Sequence, residues 1–301
     1  MAVQQISRIR REYNEWVADE TREDYALRYA PRSFRKWSIT RVGHTAFGGA
    51  SFLALEAIGA AIALKYGFAN ALAAIACVAL VVFVTGLPIS YYAARYKLDM
   101  DLLTRGAGFG YMGSTLTSLV YAGFTFIFFA LETAILASAL QLVLPLPLPL
   151  LYIVCALAIV PLVARGVTLI SRLQAWTQPL WLVLLVLPFA AMAWHEPQLY
   201  AAFAAEVRRS GGLDMLLFGG ATTVAFSLVV QIGEQVDYLR FLPERTRANR
   251  WSWWAAVVLA GPGWIIPGAL KMMGGAFLAW LMWGCTRIST AGAGEKIGAN
   301  L

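Results

Sequence analysis

Leu72–Tyr91 reads LAAIACVALVVFVTGLPISY, a run with no acidic or basic side chain. About 20 apolar residues at 1.5 Å rise per residue match the ~30 Å hydrocarbon layer of a bilayer, so this run predicts a membrane-spanning helix. Working outward, similar runs recur in both directions. Val42–Leu64 holds one carboxylate, Glu56, and one histidine, His44. The predicted spans are residues 42–64, 69–93, 113–143, 147–164, 166–194, 213–237 and 251–270. Residues 271–283 are apolar as well. One helix over 251–283 would be about 50 Å long, too long for an upright span. Gly261-Pro262-Gly263, Pro267 and Gly274-Gly275 therefore predict a break or a re-entrant turn. The fold class that follows is an all-α integral membrane protein of about seven transmembrane helices.

Composition agrees. Of 301 residues, 59% are hydrophobic and 14% charged, with a mean hydropathy of +0.64, against about 25% charged in a soluble domain. The net charge of +7 would suit nucleic acid, but Lys and Arg also collect in the cytoplasmic loops of membrane proteins, and that reading leaves no nucleic-acid partner. Cys77, Cys155 and Cys285 stand in apolar runs at no metal-ligand spacing, as small buried hydrophobes do. Gly106-Ala107-Gly108-Phe109-Gly110 has no strand before it, which removes a dinucleotide-binding reading. No catalytic constellation, metal set or cofactor motif stands out, so no enzymatic role is expected.

The chain divides into a polar segment, residues 1–41, a transmembrane bundle, 42–283, and a small-residue, polar tail, 284–301. In the first segment Ile6, Ile9, Tyr13, Trp16 and Val17 recur at helical spacing. The tail reads as disordered, or as the scar of a truncated or frame-shifted reading frame. Basic residues crowd residues 8–41 and recur at Arg95, Lys97, Arg105, Arg165, Arg172, Arg240, Arg245, Arg247 and Arg250. The alternate connections hold only Lys65, Arg208 and Arg209. This asymmetry predicts a cytoplasmic N-terminus, with loops near Lys65, Pro145–Pro149 and His195–Asp214 outside. No cleavable leader is visible, so the first span acts as the insertion signal.

The informative features are glycines and polar groups inside spans. Gly48-Gly49-Ala50-Ser51 and Gly219-Gly220-Ala221-Thr222-Thr223 lie near the middle of spans one and six. Paired interrupted helices point to a transporter binding site, because unwound backbone frees carbonyls for a cation and N–H groups for a polar solute. Close helix packing through small residues is the alternative. Glu56 and Glu132 are carboxylates within apolar runs. Such groups face a cavity or a partner, and they are candidates for ligand binding or proton coupling. Gly48, Gly49, Glu56, Gly219 and Gly220 are thus candidates for a cation site or helix break. Phe124, Phe126, Phe128 and Phe129 flank Glu132.

Two motifs carry a resemblance. Leu103-Thr104-Arg105-Gly106-Ala107-Gly108-Phe109-Gly110 with Gly113, and QIGEQVDYLRFLP at Gln231–Pro243 with Asp237, Tyr238 and Arg240, resemble the nucleobase:cation symporter-1 (purine-cytosine permease) family over roughly residues 25–283. The resemblance implies the N-terminal portion of a five-plus-five inverted-repeat fold in a bacterial inner (plasma) membrane. It also implies a small planar nitrogen heterocycle as substrate, such as a nucleobase or ureide, and sodium or a proton as coupling ion. It places Phe128 as an aromatic stacker and Glu132 where the family has an amide; an ionised Glu can only accept hydrogen bonds. Ser51, Phe128, Glu132, Thr222 and Phe226 are then expected to line the substrate site, Phe226 from its place just after the glycine run. Because spans end at seven, the resemblance implies a truncated transporter. The opening RREYNEWVADETREDYALRYAPRSFRKWS with TAFGGASFLALEAIGAAIAL also resembles the permease-like input module of bacterial hybrid sensor histidine kinases. That resemblance implies a sensory fragment whose full-length gene carries a kinase domain.

Overall fold

The structure, a computed structural model, describes residues 37–163, 166–195, 197–209 and 212–298, with side chains as far as Met282. The expected N-terminal helix and most of the basic segment before residue 41 lie outside the described residues. The described residues form helices α1 (Ile39–Gly48), α2 (Ala54–Tyr66), α3 (Phe68–Tyr96), α4 (Met100–Thr104), α5 (Gly110–Gln141) and α6 (Leu148–Val163). There follow α7 (Val167–His195), α8 (Pro197–Arg209), α9 (Met215–Phe226), α10 (Ile232–Leu239), α11 (Arg250–Ala260) and α12 (Ile265–Gly298). Among the described residues there is no strand.

Among the described residues five helical stretches are long and apolar enough to cross a membrane: Phe68–Tyr96, Met100–Gln141, Leu169–His195, Met215–Leu239 and Pro262–Met282. A sixth forms if Ile39–Ser51 and Ala54–Tyr66, bent by 43° at their junction, count as one span. Three expectations change. The run at 147–164 yields only the sixteen-residue α6, about 24 Å of helix. The last span is not 251–270. Gly261 leaves the helical region (φ −77°, ψ −113°), Pro262–Trp264 form a 3-10 turn, and the long apolar helix begins there. Pro262 has no N–H to continue α11, so the apolar length of 271–283 joins the span. The connection expected as a loop at His195–Asp214 contains α8, whose Phe203 packs on Phe68 (5.0 Å) and Phe277 (4.5 Å). Beyond residue 284 the backbone is helical as far as Gly298.

Turn chemistry explains the element ends. Ser38 accepts from Arg41 N (3.1 Å), Asp99 from Leu102 N (2.8 Å), and Asp214 from Leu216 N and Leu217 N (2.9 Å each), each a side-chain N-cap. Gly67 (φ 85°) makes the turn from α2 to α3, a conformation that favours glycine. The glycine-rich motif before α5 is a widened turn, with Gly108 at φ 108° and Gly110 at φ 64°.

α2 and α12 make the closest crossing. A Cβ on Gly59 would strike the Met272 backbone, and one on Gly275 would strike the Glu56 backbone. The register is regular: Leu55 meets Gly268 and Gly59 meets Met272, while Phe52 meets Lys271 and Glu56 meets Gly275. Four residues along one helix match four along the other in the same direction, so the helices run parallel. Small residues allow this approach, as in membrane helix pairs generally.

The basic connections converge on one end. Arg41 lies over Trp37 (4.3 Å), Trp37 stacks on Phe241 (5.0 Å), and Arg41 Nε reaches Ser171 Oγ (3.3 Å). Lys97 Nζ donates to Leu242 O, and Arg95, Lys97 and Arg245 line one surface cleft. At the opposite end Asn70 Oδ1 accepts from Asp214 N (2.9 Å), and Tyr66 seats against Gly220. The outer faces of α5 and α7 carry exposed Leu119, Phe126, Ile127, Leu180, Val183 and Leu187. That apolar surface is compatible with a multi-pass membrane protein.

Candidate functional site

The site is built on the junction of α1 and α2. Gly49–Ser51 form a 3-10 turn, and Phe52 (φ −57°, ψ 122°) leaves the helical region before α2 starts at Ala54. Glycine and serine are poor in helix interiors. Gly48 is needed for packing too, because a Cβ there would lie 2.6 Å from Gln174 Cδ on α7. The break expected at Gly48–Ser51 is thus present.

A helix break frees backbone groups that must find partners where water is scarce. Here other helices supply them. Glu132 Oε1, on α5, accepts from Ala54 N at 2.8 Å and so caps α2. Lys271 Nζ, on α12, donates to Phe52 O at 3.0 Å. The same ammonium pairs with Glu56 Oε1 at 3.1 Å. Lys271 is only 4% exposed. Among the described residues Glu56 Oε2 is buried without a hydrogen-bond partner. Ser51 lies in the break itself, and Phe128 sits one turn before Glu132. Phe128 packs on Phe124 (4.8 Å) and edge-on to Phe52 (6.2 Å). Ser51, Phe128, Glu132 and Glu56 are therefore brought together.

The second expected break is displaced. α9 runs unbroken through Gly219–Thr223, and the irregular turn comes later, a 3-10 segment at Ser227–Gln231. Gly220 provides a seat, since a Cβ there would lie 2.5 Å from Tyr66 Cε1, while Gly219 faces open space. Packing, not unwinding, explains Gly220, and nothing in the structure explains Gly219. Thr222 has a buried hydroxyl with no partner among the described residues. Phe226 is 42% exposed and lies outside the apolar cluster that holds Phe52, Phe124 and Phe128. The side chain that packs with Phe52, Leu55, Phe124 and Phe128 from this segment is Leu228. The turn at 227–231 precedes α10, and Leu228, only two residues after Phe226, is the fully buried side chain there.

The two irregular segments are nevertheless adjacent. A Cβ on Gly49 would lie 3.6 Å from Glu234 Oε1. Ala46, Gly49, Gln231, Glu234, Gln235, Tyr238 and Trp264 line a small cleft there. Gln231 Nε2 reaches Glu234 Oε2 at 3.5 Å. The Gln235 amide donates to Gly261 O at 2.8 Å and accepts from Trp264 Nε1, so it ties the second irregular turn to the break before α12. The wider cleft lined by Tyr91, Arg95, Lys97, Glu244, Arg245 and Trp253 lies at the basic end and shares no residue with the break. His44 Nδ1 contacts Gln178 Oε1 at 2.6 Å, a link between α1 and α7. Among the described residues no group of three His, Cys, Asp or Glu could hold a metal ion.

Sequence reasoning missed Lys271 and the polar face of α10. Lys271 falls in the apolar stretch 271–283 that the sequence places after the last expected span, where no role was assigned to it. Its signal was its isolation as the one cation between Ile265 and Trp283, which calls for an interior carboxylate. Gln231, Glu234, Gln235 and Tyr238 follow i, i+3, i+4, i+7 spacing, one face of a helix. Comparison with family models, curated proteins and solved structures gives no match to this chain.

Proposed function

We propose that the chain is the membrane-embedded bundle of a transporter-like protein that binds a small planar nitrogen heterocycle at the break of its first span. The observation that carries this reading is the α1–α2 junction. Its Phe52 carbonyl and Ala54 N–H are met by Lys271 and Glu132, side chains from two other helices. A bundle that needed only to span the bilayer would gain nothing from such a break; a solute site uses it. The Glu132 carboxylate has about four acceptor positions and spends one on Ala54. Phe124 and Phe128 offer aromatic faces. Phe52, which covers Phe128, has to swing aside to admit a planar ring, and its position in the non-helical junction suits it to that motion.

In this reading the chain passes the membrane seven times. α5 starts near the basic end and α7 starts beside Arg41 at the same end, so the short α6 returns between them. The interrupted α1–α2 and the interrupted α9–α10 run in opposite directions, which supports an inverted relation between the two halves. The basic end is the cytoplasmic face of a bacterial inner membrane.

The test is ligand-dependent stabilisation of the purified chain in nanodiscs against a panel of nucleobases and ureides. A ligand at 100 times its Kd adds about 2.7 kcal/mol. We expect stabilisation by at least one compound, abolished in Phe128→Ala and weakened in Glu132→Gln. If no compound stabilises the wild type, or both variants keep every response, the site is elsewhere. Uptake into liposomes then separates a carrier from a receptor input.

A further inference from the structure

We infer that the Lys271 ammonium is a built-in cation for the α1–α2 break, so that the bundle assembles there without an inorganic ion. The inference goes beyond the proposed solute site, because it concerns the break itself and its readout needs no solute.

A helix broken inside a membrane exposes carbonyl oxygens, and with a nearby carboxylate these form the oxygen set that binds a hard monovalent cation. The Phe52 carbonyl, in the junction, and the Glu56 carboxylate, in the first turn of α2, are such a set. Both are taken by one donor, Lys271 Nζ, at 3.0 and 3.1 Å. An ammonium carries a single positive charge and three donors, which matches a monovalent ion in charge and oxygen preference. A second cation sharing these oxygens would stand against Lys271 at contact distance in a poorly screened interior, so the two exclude each other.

The backbone holds the ammonium in place. A long lysine near a helix end can snorkel to the interface. Lys271 is followed by two close backbone approaches, Met272 against Gly59 and Gly275 against Glu56. With Leu55 against Gly268 just before it, these contacts hold α12 against α2 on both sides of Lys271, and its Nζ ends at the break. Removing the ammonium would leave the Phe52 carbonyl and the Glu56 carboxylate facing each other's neighbourhood with no positive charge, a costly arrangement away from water.

The experiment is thermal unfolding of the full chain in nanodiscs, in sodium, potassium or choline chloride at equal ionic strength. The wild type is expected to melt at the same temperature in all three, and Lys271→Arg to share that indifference. Lys271→Met, similar in length and uncharged, is expected to melt lower in choline and to recover several degrees, saturably, with sodium or potassium. The double variant Lys271→Met/Glu56→Gln is expected to lose that response. A saturable sodium or potassium effect on the wild type would overturn the inference. So would a Lys271→Met protein that ignores both ions, or one that cannot be folded in any of the salts, since an inorganic ion should restore the missing charge.

Discussion

Placing a methyl group on Gly275 should pry apart the two helices at the centre of the bundle. An alanine Cβ there would overlap the Glu56 carbonyl region, whereas C···O contacts ordinarily settle at about 3.3–3.6 Å. Relief requires α2 and α12 to part by roughly 1 Å or more, because the struck atom is backbone and has no rotamer to change. Overpacking of this kind costs about 1–3 kcal/mol, and a backbone collision belongs at the upper end. Alanine returns up to about 1 kcal/mol of helix propensity. The net expectation is about 2 kcal/mol of destabilisation, roughly thirtyfold in the unfolding equilibrium. Gly219→Ala is the matched control, since nothing lies within 4 Å of the added Cβ; it should be neutral or up to about 1 kcal/mol more stable. Folded fraction against SDS content in mixed micelles reads both. Equal stability of Gly275→Ala and wild type, or equal losses in the two variants, would refute the claim that a backbone crossing sets the α2–α12 distance.

Three further outcomes are expected. Gln235→Leu strips the amide from Gly261 O and Trp264 Nε1 and should cost about 1–3 kcal/mol; a variant as stable as wild type in the same SDS titration would show that water replaces the amide. Phe226→Ala should leave any ligand-induced stabilisation unchanged, because the ring is partly exposed and outside the cluster that holds Phe128, and a lost response would return Phe226 to the site. In a background with Cys77, Cys155 and Cys285 replaced, an impermeant thiol reagent on intact cells should label a cysteine at Leu213 and spare one at Thr246; the reverse pattern would invert the assigned orientation.

The first break was legible because it is local: Gly49 and Ser51 weaken a helix wherever they are placed, and the chain bends there. The pair Gly219-Gly220 looked equivalent and was not. A glycine that unwinds a helix and a glycine that seats a neighbour's ring have the same sequence signature, and only Tyr66 against Gly220 separates them. Phe226 is the last helical residue before the displaced turn and is partly exposed, while Leu228 within that turn is buried, a difference that the glycine run does not mark. Glu132 was identified correctly as interior, yet its partner, the Ala54 N–H, could not be named from the sequence.

By itself the sequence determined the helical, membrane-compatible class, the weak point near Gly49 and the basic end of the bundle. Each is a property of contiguous residues: apolar length, helix propensity and charge asymmetry add up along the chain, whatever the chain packs against. Tertiary structure alone decided that Lys271 meets Glu56 and the Phe52 carbonyl, that α2 and α12 touch through Gly59 and Gly275, and that Leu228 packs in the cluster around Phe128. Those pairings join residues up to 219 positions apart. In an apolar medium many helix faces are equally greasy, so the choice among them falls to backbone approach and to the few buried charges that must find each other, and neither can be read before the helices are assembled.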